Sequence, residues 1–253
     1  MADIKNTPTQ TNKQSNRIIK GIDKVSGKMS IASKKVQAQA AKDAIKVNGE
    51  KTPFRASSLV ASEIDANLRK VINNTNKDFS DFVNETQRYL ADNYAIKLTK
   101  KDLEVIAKKG STITDELIAN TTILKNDIQG MLTQNLAKGV SDKQLAQELT
   151  ELYPAYARNA GTILNSGLGR LFIDTNVAKF TENNLEFYLY AGPDDKVTRD
   201  RPCKHWVWKW FPKKDLDIVA ATRLQLWNCR HSIIAITEEQ TENYERLDTS
   251  FAS

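Results

Sequence analysis

Two stretches decide the fold of this chain, Thr198-Arg-Asp-Arg-Pro-Cys203 and Trp227-Asn-Cys-Arg-His-Ser232. The chain has two cysteines and two histidines, and each histidine follows a cysteine after one intervening residue. The pattern therefore reads Cys203-x-His205 and Cys229-x-His231. Because four such rare residues seldom pair in this way by chance, we expect the two stretches to meet in one small site.

Strand and turn signals surround these stretches in a definite order. An aromatic strand over 185–190 leads into the turn Asp195-Lys-Val-Thr-Arg199, and Cys203 follows. Asn228-Cys-Arg230 then precedes an apolar strand over 233–236. This order resembles the C-terminal domain of the phage Mu F-like minor head proteins, the phage head morphogenesis family, over roughly residues 135–240. One departure is Leu226, which stands where the family usually has a histidine.

The resemblance implies a low-copy protein of a bacteriophage head. Such a protein is associated with the portal or other head proteins and acts in head assembly, with a further role in DNA packaging or ejection. It resides in the virion and, during assembly, in the host cytoplasm. The resemblance also implies a structural motif formed by Asp195, Thr198, Arg199, Asn228 and Arg230.

The polar residues around the cysteines allow a catalytic or a structural interpretation. We expect Asp195 or Asp200 to pair with an arginine, since bidentate bonds between arginine and a carboxylate fix small loops well. The apparent acid, base and nucleophile groups have no recognised catalytic spacing, and we therefore expect no enzymatic activity and no catalytic residue.

The cysteines and histidines leave three interpretations open. Thiolate and imidazole are preferred zinc ligands, so Cys203, His205, Cys229 and His231 are candidates for a structural zinc site. Zinc motifs generally separate paired ligands by two to four residues, whereas one residue intervenes here. This spacing favours a structural pair of buried thiols. A disulfide is the third possibility, disfavoured in a reducing cytoplasm but able to form in a released virion.

Positive charge is concentrated at the N-terminus. Residues 1–55 carry 12 Lys and Arg against 4 Asp and Glu, a net charge of +8, whereas the whole chain carries +6. Such an arm is typical of a tail that binds polyanions. We expect it to contact packaged DNA through its basic residues, Lys13, Arg17, Lys20, Lys24, Lys28, Lys34 and Lys35.

The same arm has few apolar residues, and it should be largely disordered in isolation. A helical spacing begins at Ile18, which predicts a helix that forms against a partner. Its apolar face consists of Ile18, Ile22, Val25 and Met29.

Periodicity divides the rest of the chain. Amphipathic stripes predict a helical domain over 56–182, and aromatic and β-branched runs predict a small β-rich Mu F-like domain over 183–240, followed by a polar tail over 241–253. Thr99 and Asp102 predict a capping box that begins a short helix ending at Gly110. The fold class is thus α+β, with a mainly helical body and a basic, flexible arm. The apolar runs are too short to span a bilayer.

Three tryptophans alternate within a predicted strand over 206–211. On a strand, Trp206, Trp208 and Trp210 would share one face. Base stacking is a conceivable role, but aromatic residues are enriched at the centres of interfaces. We expect this face to pack on the helical domain or on a portal or head protein.

Two other functions compete with a minor head protein. Some members of the family carry a C-terminal effector of the enzyme or toxin type, but only about 16 residues follow the last predicted strand. A DNA-binding accessory virion protein is the second alternative. It would require the folded body, and not only the arm, to bind DNA.

Overall fold

The computed structural model describes residues 4, 6–24, 53–138, 141–226 and 229–252. The protein is α+β, with a mainly helical body and a C-terminal sheet of four strands, which confirms the predicted fold class. Residues 8–24 are helical (α1), and three long helices follow, α2 Pro53–Tyr94, α3 Lys100–Lys138 and α4 Asp142–Glu182.

The chain divides into two compact units. The first contains Met1–Asp23, Ser80–Gly110 and Asn165–Ser253, and the second contains Lys24–Phe79 and Ser111–Leu164. The first unit therefore includes the sheet and both cysteine stretches.

The start of α3 confirms the predicted capping box. The Thr99 backbone N–H donates to Asp102 Oδ2 (2.6 Å), and the Asp102 backbone N–H donates to Thr99 Oγ1 (3.3 Å). The predicted end at Gly110 is wrong, because α3 continues to Lys138. The buried residues Ile106 and Ile113 keep helical spacing across the glycine. Burial of such side chains offsets the helix penalty of a glycine, about 1 kcal/mol.

The sheet has the strand order β3-β1-β2-β4. Strand β1, Phe187–Ala191, pairs antiparallel with β2, Lys209–Pro212, and with β3, Ser232–Ile236. The two-residue strand β4, Glu245–Arg246, pairs parallel with β2. Every residue of β3 is buried, and so are four of the five in β1, so these strands form the centre of the unit.

Short helical segments connect the strands. A π-helical turn, Asp200–Lys204, follows β1, and a 3₁₀ turn, Lys213–Asp215, leads from β2 into α5, Leu216–Gln225. After β3 come α6, Glu238–Thr241, and a 3₁₀ turn, Thr249–Ala252. The region predicted as a polar tail therefore contains β4 and joins the sheet.

An aromatic core joins the ends of two long helices to the sheet. Tyr94 on α2 packs against Phe180 on α4 with ring centroids 4.9 Å apart, and Phe180 contacts Tyr188 on β1 at 6.0 Å. Tyr188 stacks on Phe211 of β2 at 5.6 Å. The Tyr94 hydroxyl also accepts the backbone N–H of Ala235 on β3 (3.2 Å). These contacts fix the position of β1 and β3, and the site lies beside them.

Helix α1 up to Asp23 belongs to the first unit and packs against the rest of it through a polar seam and an apolar seam. Asn93 Oδ1 accepts hydrogen bonds from Asn6 (2.8 Å) and Thr11 (3.1 Å), and Asn93 Nδ2 donates to Gln14 (2.5 Å). Ser15 bonds Ser232 at 2.6 Å. The apolar seam consists of buried isoleucines, Ile18, Ile19 and Ile22.

The sequence indicated a helix only from Ile18 onward, because the residues before it are polar. Residues 8–17 are helical as well, and their polar side chains find partners on Asn93 and Ser232. Val25 and Met29, predicted on the same apolar face, lie outside the described residues.

The second unit has its own buried residues, including Leu117, Leu124 and Ile128 of α3 and Leu164 of α4. The Tyr156 hydroxyl donates to Asp127. In the part of the chain that the structure describes, none of the helices combines the length and the apolar character needed to cross a membrane.

Candidate functional site: the cysteine cluster

The two cysteine stretches meet beside β1, where three potential metal ligands converge. We call Cys203, Cys229 and His231, together with Tyr190 of β1, the cysteine cluster. Cys203 Sγ lies 4.0 Å from Cys229 Sγ, and Cys229 Sγ lies 3.6 Å from His231 Nδ1. The Tyr190 hydroxyl is 3.7 Å from each sulfur. The expectation that the rare residues meet in one site therefore holds for three of the four.

The fourth residue, His205, is exposed and lies outside the group of converging ligands. The two Cys-x-His pairs have the same spacing but different backbones. His205 adopts a right-handed helical conformation at the end of the π-helical turn, so its side chain diverges from that of Cys203. Cys229 and His231 are outside any helix in the connection that enters β3, where alternate side chains can share one side.

Arg223 of α5 holds the backbone of the cluster. Its Nε donates to the carbonyl of His231 (2.7 Å), and its Nη2 donates to the carbonyl of Cys229 (2.8 Å). The side chain is buried, and its two bonds fix both ligand-bearing residues relative to α5.

The His231 ring is fixed on three sides. Its Nε2 lies 2.9 Å from the carbonyl oxygen of Pro193, and its ring stacks on Tyr190 with centroids 5.2 Å apart. Gly192 supplies the third side, because a Cβ there would lie 2.5 Å from a ring carbon of His231. Only a glycine permits this approach.

The pKa values of the two thiols are shifted in opposite directions. The hydrogen bond from Cys203 lowers the pKa of Cys229 well below its usual range against the opposing effect of burial, and the charge of Arg223 contributes further. The same hydrogen bond and burial raise the pKa of Cys203. Burial and the nearby sulfurs raise the pKa of Tyr190. Cys229 is therefore the more acidic of the two thiols.

Three of the five residues singled out by the resemblance lie at the rim of the cluster. Arg230 forms a bidentate ion pair with Asp195, with N–O distances of 2.7 and 2.9 Å. Thr198 accepts the backbone N–H of Asp195 (3.0 Å) and donates to the carbonyl of Pro193 (3.0 Å). The hydrogen bonds from Arg230 keep the pKa of Asp195 below its usual range.

Other residues of the predicted motif take different positions. Arg199 is exposed and precedes the π-helical turn. Asp200 forms an ion pair with Lys204 (2.7 Å). Asn228 lies outside the described residues.

The alternating tryptophans do not form one strand face, because β2 begins only at Lys209. Trp206 lies in a helical turn and is fully buried, and its indole N–H donates to the carbonyl of Asp248 (2.9 Å). Trp208 has a positive φ of 59° and stacks on Tyr244, with centroids 6.3 Å apart.

Trp210 alone lies on β2, and the guanidinium of Arg246 covers its ring at 5.8 Å. Each tryptophan thus contacts residues between 244 and 248. The sequence pattern missed this partner, since the segment reads as polar. The docking role predicted for the three tryptophans stays a prediction.

The predicted DNA-contacting residues are described only in part. Lys13, Arg17, Lys20 and Lys24 are exposed on α1, at spacings of four, three and four residues that place them on one helical face. Lys28, Lys34 and Lys35 lie outside the described residues.

A groove between the start of α3 and the end of α4 has a volume of about 430 Å³. Five of its charged residues form ion pairs: Lys179 contacts Asp102 and Glu182 at 2.6 Å, and Lys109 contacts Asp174 at 2.5 Å. Partial burial raises the pKa of Asp102, but the hydrogen bonds from Lys179 and Thr99 outweigh it and leave this pKa below its ordinary value. These pairs hold α3 to α4.

Sequence reasoning missed Tyr190 and Arg223 as members of the site. Tyr190 ends an aromatic strand two residues before Gly192, and Arg223 is a basic residue in a helix that is otherwise largely apolar. A buried arginine needs hydrogen-bond acceptors, so a basic residue among apolar helix residues was the signal that could have pointed to a buried polar contact.

No protein-family model matches this chain, and comparisons with curated proteins and with solved structures likewise give no match.

Proposed function

We propose that this chain is a bacteriophage minor head protein of the Mu F-like type, associated with the portal and acting in head assembly. One observation carries the proposal. The turn at Asp195 and the Asn-Cys-Arg element, which the sequence separates by more than 30 residues, are joined by the bidentate pair of Arg230 and Asp195. Asp195, Thr198 and Arg230, three of the five residues on which the resemblance rests, are therefore joined by hydrogen bonds.

The remainder of the site supports a structural role over catalysis. The charged groups at the rim pair with each other, and Arg223 is engaged by two backbone carbonyls. In the described first unit, the cysteine cluster is enclosed by β1, α5 and the connection into β3. Such an arrangement stabilises a small domain.

Mass spectrometry of purified phage particles tests this proposal. The particles should come from the source of the sequence, before and after DNA ejection. Peptides of this chain are expected at a level well below the major capsid protein. Absence from particles that contain the portal would contradict the proposal. Loss of this chain from particles after DNA ejection would indicate that the protein leaves the head with the DNA.

A charge exchange tests the unit that carries the proposal. Asp195→Arg and Arg230→Asp should each reduce incorporation into particles, because each places like charges together. The double exchange should restore incorporation by recreating the pair. Equal incorporation of all four chains would show that the pair has no part in assembly.

DNA binding through α1 is the second candidate function, favoured by its exposed basic face. Changing Lys13, Arg17 and Lys20 to Gln should weaken binding to duplex DNA of any sequence. It should also lower the slope of log K against log salt by up to about 3, since each phosphate contact contributes roughly 0.9.

A matched control removes the same charge elsewhere. Lys97, Lys100 and Lys101 are also exposed in the first unit, and their change to Gln should leave most of the binding intact. Equal losses in both triple variants would indicate an effect of net charge alone. Unchanged binding in the α1 variant would exclude this face.

A further inference from the structure

We propose that Cys203, Cys229 and His231 bind one zinc ion that holds the π-helical turn to the entry of β3. The three ligand atoms lie within 4.8 Å of one another. This inference uses one histidine rather than two, and it does not depend on the role of the protein in a phage head.

The distances between the ligand atoms suit a tetrahedral ion. Zinc–sulfur bonds of about 2.3 Å and zinc–nitrogen bonds of about 2.0–2.1 Å place two sulfurs about 3.8 Å apart, and a sulfur and a nitrogen about 3.5 Å apart. The corresponding distances here are 4.0 Å between the sulfurs and 3.6 Å between Cys229 Sγ and His231 Nδ1. A small shift of the Cys203 side chain completes the third edge.

The imidazole presents the correct nitrogen to the ion. The carbonyl of Pro193 can only accept a hydrogen bond, so the His231 Nε2 beside it carries the proton. The lone pair is then on Nδ1, which faces Cys229. A backbone carbonyl that fixes the second nitrogen is a usual feature of histidine ligands. A pair of buried thiols would require no such orientation.

The surroundings preorganise the three ligands. Arg223 fixes the carbonyls of Cys229 and His231, and Gly192 leaves room for the imidazole ring. The Tyr190 hydroxyl lies 3.7 Å from both sulfurs, where it can donate to thiolates. Two thiolates and one imidazole leave a fourth coordination position for a water molecule or the Tyr190 hydroxyl.

The site would connect two segments that are distant in the sequence. Cys203 belongs to the π-helical turn after β1, whereas Cys229 and His231 belong to the connection between α5 and β3. A zinc ion shared by them would join cysteines 26 positions apart in the sequence. Because the ion binds the folded arrangement and not the unfolded chain, its binding free energy adds to the stability of the fold. Its role is therefore structural.

Elemental analysis and cobalt substitution test the site. The full chain should be purified under reducing conditions without chelator. We expect about one zinc per chain, and after removal of zinc and addition of Co²⁺ we expect the strong visible absorption of a tetrahedral cobalt–thiolate centre. Cys203→Ser, Cys229→Ser and His231→Gln should each reduce bound zinc severalfold. His205→Gln is the matched control and should keep it.

Several results would overturn the assignment. One is a full chain that retains no zinc and gives no cobalt–thiolate spectrum on reconstitution. A Cys203–Cys229 disulfide in the freshly purified protein would also exclude the site. Loss of zinc in the His205 variant would replace the three-residue site with a four-residue one. If the serine variants fail to fold, the cobalt spectrum of the unaltered chain decides, and His231→Cys should still bind zinc.

Discussion

Asn93 is expected to control the docking of α1, and its replacement by alanine tests that docking directly. The side chain is fully buried and makes three hydrogen bonds to residues 6–14, with Asn6, Thr11 and Gln14. A fourth bond, to the carbonyl of Tyr89, stays within α2. Asn93→Ala removes all four without adding bulk.

The size of the effect follows from these contacts. A hydrogen bond contributes about 0.5–1.5 kcal/mol net, and a buried group left without a partner costs more. Asn6 and Gln14 are partly exposed and can bond water instead, whereas Thr11 is 1% exposed and cannot. We therefore expect a loss of about 2–3 kcal/mol. Because 1.4 kcal/mol corresponds to a factor of ten, release of α1 should increase roughly 30- to 140-fold.

Hydrogen exchange with mass spectrometry measures this release peptide by peptide. The amides of residues 8–24 should exchange faster in Asn93→Ala, while β1 and β3 keep their protection. Asn183→Ala is the matched control, because Asn183 makes the equivalent bond to a backbone carbonyl, that of Lys179, but does not contact α1 in the hydrogen bonds described. Equal exchange of residues 8–24 in Asn93→Ala and the unaltered chain would refute the docking.

Three further substitutions probe the rest of the first unit. Gly192→Ala forces a Cβ against the His231 ring and should lower the free energy of unfolding by about 1–3 kcal/mol, as measured in urea; an unchanged midpoint would contradict the close approach. Asp102→Asn should lower the free energy of unfolding by about 1 kcal/mol at pH 7. The hydrogen bonds from Lys179 and Thr99 lower the pKa of Asp102 against the effect of burial. The difference should therefore shrink as pH falls below the ordinary value of about 4 and vanish once the pH is below the lowered pKa, and urea titrations at neutral and at low pH check it. Trp206→Ala should lower the free energy of unfolding by about 3–5 kcal/mol and with it the melting temperature. A tryptophan that contacts only a partner protein would leave the melting temperature unchanged.

The fold class was predictable because its signals are local. Amphipathic periodicity and the Thr99–Asp102 capping box are set by neighbouring residues, and both are found in the structure. The end of α3 was not predictable from Gly110, because the penalty of one glycine is small beside the burial of apolar side chains in a long helix. Tertiary packing decided that boundary.

The residue types of the site were predictable from the sequence, but which of the two histidines belongs to it was not. The sequence placed Cys203, Cys229 and His231 together, yet it treated His205 as equivalent to His231. The difference depends on whether the backbone between cysteine and histidine is helical or outside a helix, which the spacing alone does not state. Arg223 was missed because its acceptors are backbone carbonyls, which no side-chain pattern reveals.

Helix α1 connects the two functional hypotheses physically. Its inner face contacts Ser232, next to His231, and Ile19 and Ile22 line a small cavity together with Cys229. Its outer face carries Lys13, Arg17 and Lys20 along about 10 Å of helix. A docked helix presents these cations in a fixed arrangement, so a polyanion that binds them need not order a flexible tail and avoids that entropic cost. Docking of α1 should therefore strengthen polyanion binding and shield Cys229 at the same time, because its outer face carries the cations and its inner face covers the cysteine.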